Sequence, residues 1–214
     1  MDVLRAVGTA LVAAGGALGT MLLGVLLTDL PGWSVPVAVA ITLVYGITAG
    51  ILGSYDLRSP GAWLLLVLDH TWSLPNTLLG TVVGTLLYPW FGTPSRALSA
   101  GHDWVAMRAR STTGFGADVL QTVGPVNLGG PGAHERVHLL QARIFGPTFV
   151  PLVIASYLVT GVIQVLSIPV CLVLRALGIT SSWHLQPPAS SAVSGFFGWI
   201  YYATPFELWA YATQ

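Results

Sequence analysis

The chain has 214 residues, of which 54% are hydrophobic and only 7% are charged, whereas soluble domains carry about 25% charged residues. Together with a mean hydropathy of +0.74, this composition excludes an ordinary soluble domain and indicates an integral membrane protein. Eight arginines balance eight acidic residues and lysine is absent, so the charge gives no sign of a nucleic-acid partner, and a retinal Schiff base is excluded. The single cysteine, Cys171, excludes intramolecular disulfides and thiolate metal clusters.

Long apolar stretches, separated by polar or Pro/Gly-containing breaks, follow one another along the chain. A membrane-spanning helix needs about 20 apolar residues, and the first stretch is longer than the apolar core of a signal peptide. We therefore predict one integral membrane domain over residues 1–214, a mainly α, polytopic helical bundle with about four to six membrane segments. The predicted segments are residues 6–29, 35–53, 61–91, 148–174 and 190–212.

The third stretch, residues 61–91, differs from the others because the polar residues 69–76 interrupt it. It is also longer than one straight span of about 20 residues. Non-helical backbone at membrane depth needs protein or water around it. We therefore predict a broken helix or a re-entrant hairpin here.

Pairs of glycines with the spacing Gly-x-x-x-Gly recur in the apolar stretches. This spacing allows helix backbones to approach closely inside lipid, and it indicates packing rather than chemistry. The pairs are Gly15–Gly19, Gly46–Gly50 and Gly80–Gly84.

Residues 93–132 form the one sustained polar stretch, and we predict that this insert lies outside the membrane. Residues 104–110 alternate loosely between apolar and polar side chains, and residues 118–123 could pair with them as a short β-hairpin. Pro131 suits the first turn of a helix, which we predict over residues 131–145.

The predicted helix carries the HExxH pattern His134-Glu135-Arg136-Val137-His138. Two histidines four residues apart project from one face of a helix, where both imidazoles can reach one tetrahedral zinc. A glutamate directly after the first histidine can take the proton of a water that attacks a carbonyl. His134 and His138 are therefore candidate zinc ligands and Glu135 is a candidate general base. The alternative is a polar helix at the membrane interface.

Glu207 is the only other glutamate in the chain. It follows a Thr-Pro helix-start signal and lies in an apolar context, where an ionisable side chain suggests a function. Two predicted membrane crossings separate it from the HExxH helix, so it returns to the same side of the membrane. Glu207 is a candidate third zinc ligand, or else an interfacial carboxylate that pairs with an arginine such as Arg136 or Arg143.

The order of HExxH, two membrane crossings and a helical Glu-x-x-Ala resembles the gluzincin membrane proteases. These include the bacterial heat-shock membrane protease and the eukaryotic CAAX prenyl protease. The resemblance covers residues 131–212 and implies that His134, His138 and Glu207 bind zinc while Glu135 is the general base. The family usually has Asp after that Ala, where this chain has Tyr211.

A second resemblance, to a poorly characterised group of bacterial membrane proteins, spans more of the chain. It rests on residues 69–77, on the HExxH pattern with Gln141, and on residues 205–211. The site-2 proteases fit less well, because their Leu-Asp-Gly motif follows HExxH, whereas residues 68–70 precede it and lack the glycine.

Five further polar residues are candidates around a metal. Gln141 shares the helix face of the two histidines. Asp69 and His70 could relay protons or could support the metal ligands by hydrogen bonding. The interpretation we favour is that they are polar residues with satisfied hydrogen bonds at a break between two half-helices. His184 and Tyr211 could stabilise an oxyanion, although both residue types are also common at membrane interfaces.

Two functions of different classes fit these observations. The first is a zinc metalloendopeptidase that hydrolyses a peptide bond at the membrane interface, surrounded by lipid and acting on a peptide or membrane protein. Residues 104–123 could hold its substrate as an added strand. The second is a non-catalytic membrane subunit of a larger complex, derived from such a protease. The predicted location is the bacterial cytoplasmic (inner) membrane, and no nucleic-acid partner is expected.

Overall fold

The computed structural model describes residues 2–86, 92–109, 121–129, 132–178 and 192–213. Most of these residues are helical and a few form one small sheet, which confirms the prediction of a mainly α protein. The chain divides into two compact units, residues 1–149 and 150–214. Each unit is described here by itself.

The first unit begins with two apolar helices, α1 (Asp2–Leu27) and α2 (Ser34–Leu52). They pack closely because Gly46 and Gly50 of α2 present no side chain: a Cβ on Gly46 would lie 2.6 Å from the Cα of Ala10, and one on Gly50 would touch the Cα of Ala6. The prediction that this glycine pair packs helices is confirmed. For the pair Gly15 and Gly19, by contrast, no described atom lies within 4 Å of an added Cβ.

The predicted interruption of residues 61–91 separates two short helices, α3 (Pro60–Asp69) and α4 (Leu74–Leu86). Residues 70–73 between them form turns. The third pair of glycines packs against the sheet rather than against another helix: a Cβ on Gly80 would touch the carbonyl oxygen of Val123, and one on Gly84 would lie 2.9 Å from Val126 Cγ1.

The sheet has four short strands: β1 (Gly92–Pro94), β2 (Val105–Ala109), β3 (Gln121–Val123) and β4 (Val126–Leu128). Their order is β1-β2-β4-β3, with β2 and β4 parallel and the other pairs antiparallel. A one-turn helix, α5 (Arg96–Ser99), joins β1 to β2.

The predicted pairing between residues 104–110 and 118–123 is wrong, because β4 lies between β2 and β3. Gly124 has φ +54°, a left-handed conformation that suits a tight hairpin turn. The hairpin therefore forms between β3 and β4, and β2 pairs with β4 in parallel. The alternation of side chains located β2 and β3, but it predicted neither β1 nor β4 nor the pairing of the strands.

The core of the first unit joins these helices to the sheet, and its buried members come from α2, α3, β2 and β4. They are Tyr45, Ala49, Leu52, Tyr55, Ala62, Leu66, Val105, Met107 and Val126. The HExxH helix, α6 (Ala133–Phe145), also belongs to this unit, and a short 3₁₀ turn (Gly146–Thr148) follows it. The described part of α6 begins two residues after the predicted start.

The second unit contains α7 (Phe149–Ala176), α8 (Ala192–Ala203) and α9 (Pro205–Ala212). Within the described residues, three helical stretches are long and apolar enough to cross a membrane: Val3–Leu27, Ser34–Leu52 and Ala133–Leu174, the apolar part of which is α7. These helices indicate a membrane protein. A bundle with four to six membrane segments stays a prediction.

Candidate metal centre

The two histidines of HExxH converge on one face of α6. The Nε2 atoms of His134 and His138 lie 3.0 Å apart, and their rings meet edge to face with centroids 4.7 Å apart. Both side chains are half-buried. The separation of four residues along one helix therefore brings two imidazole nitrogens to a single point.

Gln141 determines which ring nitrogen of His138 carries the hydrogen. Its Oε1 atom lies 2.9 Å from His138 Nδ1, and because a carbonyl oxygen only accepts, Nδ1 carries the hydrogen. The Nε2 lone pair of His138 then points towards His134. Gln141 is fully buried, so its amide is held in place. The predicted neighbour of the histidines thus contacts one of them directly, in the way that residues around metal ligands orient an imidazole.

This geometry fits a zinc ion. Two zinc–nitrogen bonds of 2.0–2.1 Å at a tetrahedral angle place the two nitrogens about 3.3 Å apart, close to the observed 3.0 Å. Within the first unit, His134 and His138 could thus share one metal ion.

Glu135 is held by the sheet. The hydroxyl of Thr122 on β3 donates to Glu135 Oε2 over 2.6 Å, and Asn127 on β4 donates to Thr122 Oγ1 over 3.0 Å. Glu135 is only 3% exposed. A chain of hydrogen bonds therefore orients the carboxylate of the predicted general base.

Glu207 lies in α9 and is 6% exposed. Tyr157 of α7 donates to its Oε1 atom over 3.0 Å. Three more tyrosines, Tyr201, Tyr202 and Tyr211, extend from Tyr157 as a series of ring contacts with centroids 5.2–6.4 Å apart. The candidate ligand Glu207 is thus set among phenol groups, one of which is the predicted Tyr211.

Both arginines that the sequence offered as partners for Glu207 have partners in the first unit. Arg136 donates to His102 Nδ1 over 2.6 Å and lies over the Trp104 ring, 5.7 Å from its centroid. Arg143 forms a buried ion pair with Asp69, with an Nη2–Oδ2 distance of 2.7 Å.

Asp69 and His70 lie at the break between α3 and α4 and are both fully buried. The Asp69 carboxylate accepts hydrogen bonds from Arg143 and from the Tyr55 hydroxyl. His70 Nδ1 donates to the carbonyl oxygen of Leu66 over 2.7 Å. Asp69 is therefore a satisfied polar residue at the break, and it contacts the HExxH helix through Arg143. His70 is satisfied only in part, because its buried Nε2 has no hydrogen-bond partner among the described residues.

Sequence reasoning missed several residues that hold α6. Thr122 supports Glu135, and the side chains of Trp72, Ser73 and Asn76 bind carbonyl oxygens near the end of α6. The available signal for Trp72, Ser73 and Asn76 was the occurrence of polar residues in an apolar run. That signal does not identify their partners, which lie more than 60 positions further along the chain. The predicted candidate His184 lies outside the described residues.

Comparisons of the chain with known protein families, with curated proteins and with solved structures find no match.

Proposed function

We propose that this protein is a membrane-embedded zinc metalloendopeptidase that hydrolyses a peptide bond at the membrane interface. The observation that carries the proposal is the convergence of two imidazole Nε2 atoms, 3.0 Å apart, with one ring oriented by a buried glutamine. The i, i+4 histidines and the intervening glutamate form the pattern of zinc peptidase helices.

His134, His138 and Glu207 would hold the zinc. Two imidazoles and one carboxylate, with a fourth position left open, are the ligands of a catalytic rather than a structural zinc site. Zinc supplies Lewis acidity, which lowers the pKa of a water molecule and polarises a carbonyl. The resemblance to gluzincin membrane proteases motivates Glu207 as the third ligand.

Glu135 would act as the general base. Its carboxylate accepts a hydrogen bond from Thr122 through Oε2, which leaves Oε1 to accept the proton of the attacking water. The same group can then donate that proton to the leaving amine. Because Glu135 is buried and has little contact with bulk water, its carboxylate is oriented by hydrogen bonds from the protein.

The three long apolar helices favour a peptide or membrane protein as substrate, cleaved where lipid meets water. Strand β3, which carries Thr122, lies at the edge of the sheet. An extended substrate could add to this edge, since edge strands offer unpaired backbone groups. The bacterial cytoplasmic membrane is the proposed location.

The test is proteolysis by the full-length protein in detergent, with casein and a single-span membrane protein as substrates. We expect cleavage by the wild type, loss of cleavage on chelation with recovery on adding zinc, and no cleavage by Glu135→Gln despite retained zinc. Cleavage by Glu135→Gln at the wild-type rate would overturn the proposal.

A non-catalytic subunit of a larger complex is the second candidate, and one observation favours it. No described atom covers Gly15 and Gly19 of α1, and such a pair can receive a partner helix. A stable zinc-free protein that copurifies with other membrane subunits would support this function instead of the peptidase.

A further inference from the structure

The C-terminal end of α6 is held by the break between α3 and α4. The last carbonyls of a helix have no partner within the helix. Asn76 Nδ2 donates to the carbonyl oxygens of Ala142 and Gly146, over 3.1 and 2.8 Å. Ser73 Oγ donates to the same Ala142 oxygen over 3.0 Å. Both oxygens also accept a backbone N–H, from Gly146 and from Phe149 respectively. The side chains of Ser73 and Asn76 therefore add hydrogen bonds at the end of α6 and attach it to the break between α3 and α4.

A buried ion pair attaches the same end of α6. Arg143 Nε and Nη2 donate to the two carboxylate oxygens of Asp69, over 2.9 and 2.7 Å. Arg143 is 8% exposed and Asp69 is fully buried. The Tyr55 hydroxyl also donates to Asp69, over 2.7 Å, and in turn lies 2.9 Å from the Tyr45 hydroxyl. The carboxylate therefore has a fixed position.

The ion pair lies on the opposite side of α6 from the histidines. Arg143 follows His134 by nine residues, which at 3.6 residues per turn places it about 180° around the helix axis. Glu135 lies between these directions and is held by Thr122. The contacts of Arg143 and Glu135 thus fix the rotation of α6 from the side opposite the histidines and from the flank.

We propose that Asp69 and Asn76 are positioning residues of the metal site, acting through Arg143 and through the carbonyl end of α6. They fix the rotation of the helix and so aim both histidines at the third ligand. This inference rests on the proposed zinc site. It gives the break between α3 and α4 a role in metal binding.

The test measures the zinc dissociation constant of the full-length protein, by competition with a chelator, for Asn76→Ala and for the double variant Asp69→Asn with Arg143→Met. The double variant removes both charges together, because a buried charge left alone destabilises the fold, whereas loss of the whole pair is often tolerated. Thr81→Val is the matched control, since this buried α4 hydroxyl bonds only within its own helix.

We expect zinc binding to weaken by about tenfold or more in both test variants while the protein still folds, with the control unchanged. In a Glu207→Ala background, the loss caused by Asn76→Ala should become smaller, because the histidines then have no third ligand to meet. A purely structural role would give the same loss in both backgrounds.

Each of the following results would overturn the inference. If the wild type binds zinc and the two variants bind it equally well, the positioning role is wrong while the proposed function stands. The same holds if the losses with and without Glu207 are equal. If the wild type binds no zinc, the proposed function and the positioning role both fail.

Discussion

At the scale of residues, the candidate centre consists of polar side chains that each have a specific partner. Gln141 orients His138, Thr122 orients Glu135, and Tyr157 orients Glu207. In a chain with only 7% charged residues, such buried polar contacts need a reason, because each side chain gives up contact with water. The proposed metal would supply that reason for the two histidines.

Gln141→Ala should weaken zinc binding by about 10–100-fold, because His138 then loses the acceptor that fixes its tautomer. Gln141→Glu keeps an acceptor at the same distance and should bind zinc at least as well as the wild type. Chelator competition measures both constants. Equal affinity of Gln141→Ala and the wild type would show that the hydrogen bond has no effect on the metal.

Thr122→Val should lower the rate of casein cleavage by about tenfold, because the Glu135 carboxylate loses a charge-assisted hydrogen bond. Zinc content should stay at the wild-type level, since Thr122 touches no histidine. Thr42→Val is the control, as this buried hydroxyl bonds only to α2 carbonyls. An unchanged rate, or a parallel loss of zinc, would contradict the proposed role of Thr122.

At the scale of elements, local patterns in the sequence predicted positions better than partners. The break near residue 70 and the helix over HExxH follow from polar interruptions and turn residues. The predicted hairpin pairs β2 with β3, whereas β4 lies between them. The alternation of side chains along β2 is equally compatible with either partner. Three glycine pairs have the same spacing, yet one packs against a helix, one packs against the sheet, and a Cβ added to Gly15 or Gly19 would meet no described atom within 4 Å.

Gly50→Ala should destabilise the protein by about 1–3 kcal/mol, because the new methyl group meets the α1 backbone, which cannot move aside alone. Gly15→Ala is the matched control in the same helix pair: it should be neutral or stabilising by up to about 1 kcal/mol, since alanine favours helix. Thermal unfolding in detergent measures both. Equal midpoints for the two variants would contradict the close packing of α1 and α2.

At the scale of the whole molecule, the sequence was sufficient to predict the candidate ligands. It was not sufficient to predict the residues that hold the HExxH helix in place. His134, Glu135, His138 and Gln141 share a few turns of one helix, so their relation follows from helical geometry. Asp69 and Arg143 are 74 residues apart, and no local pattern indicates which carboxylate meets which arginine. Glu207 stays a prediction that rests on composition and on the number of membrane crossings.

The central claim is that His134 and His138 hold a zinc ion. The most direct test is the zinc content per chain of the full-length protein, purified in detergent as wild type, Glu135→Gln and His138→Ala. We predict one zinc per chain for the wild type and for Glu135→Gln, and loss of zinc for His138→Ala, because a single imidazole and a carboxylate hold the ion too weakly. A wild type without zinc, or a His138→Ala protein that retains as much zinc as the wild type, would contradict the claim.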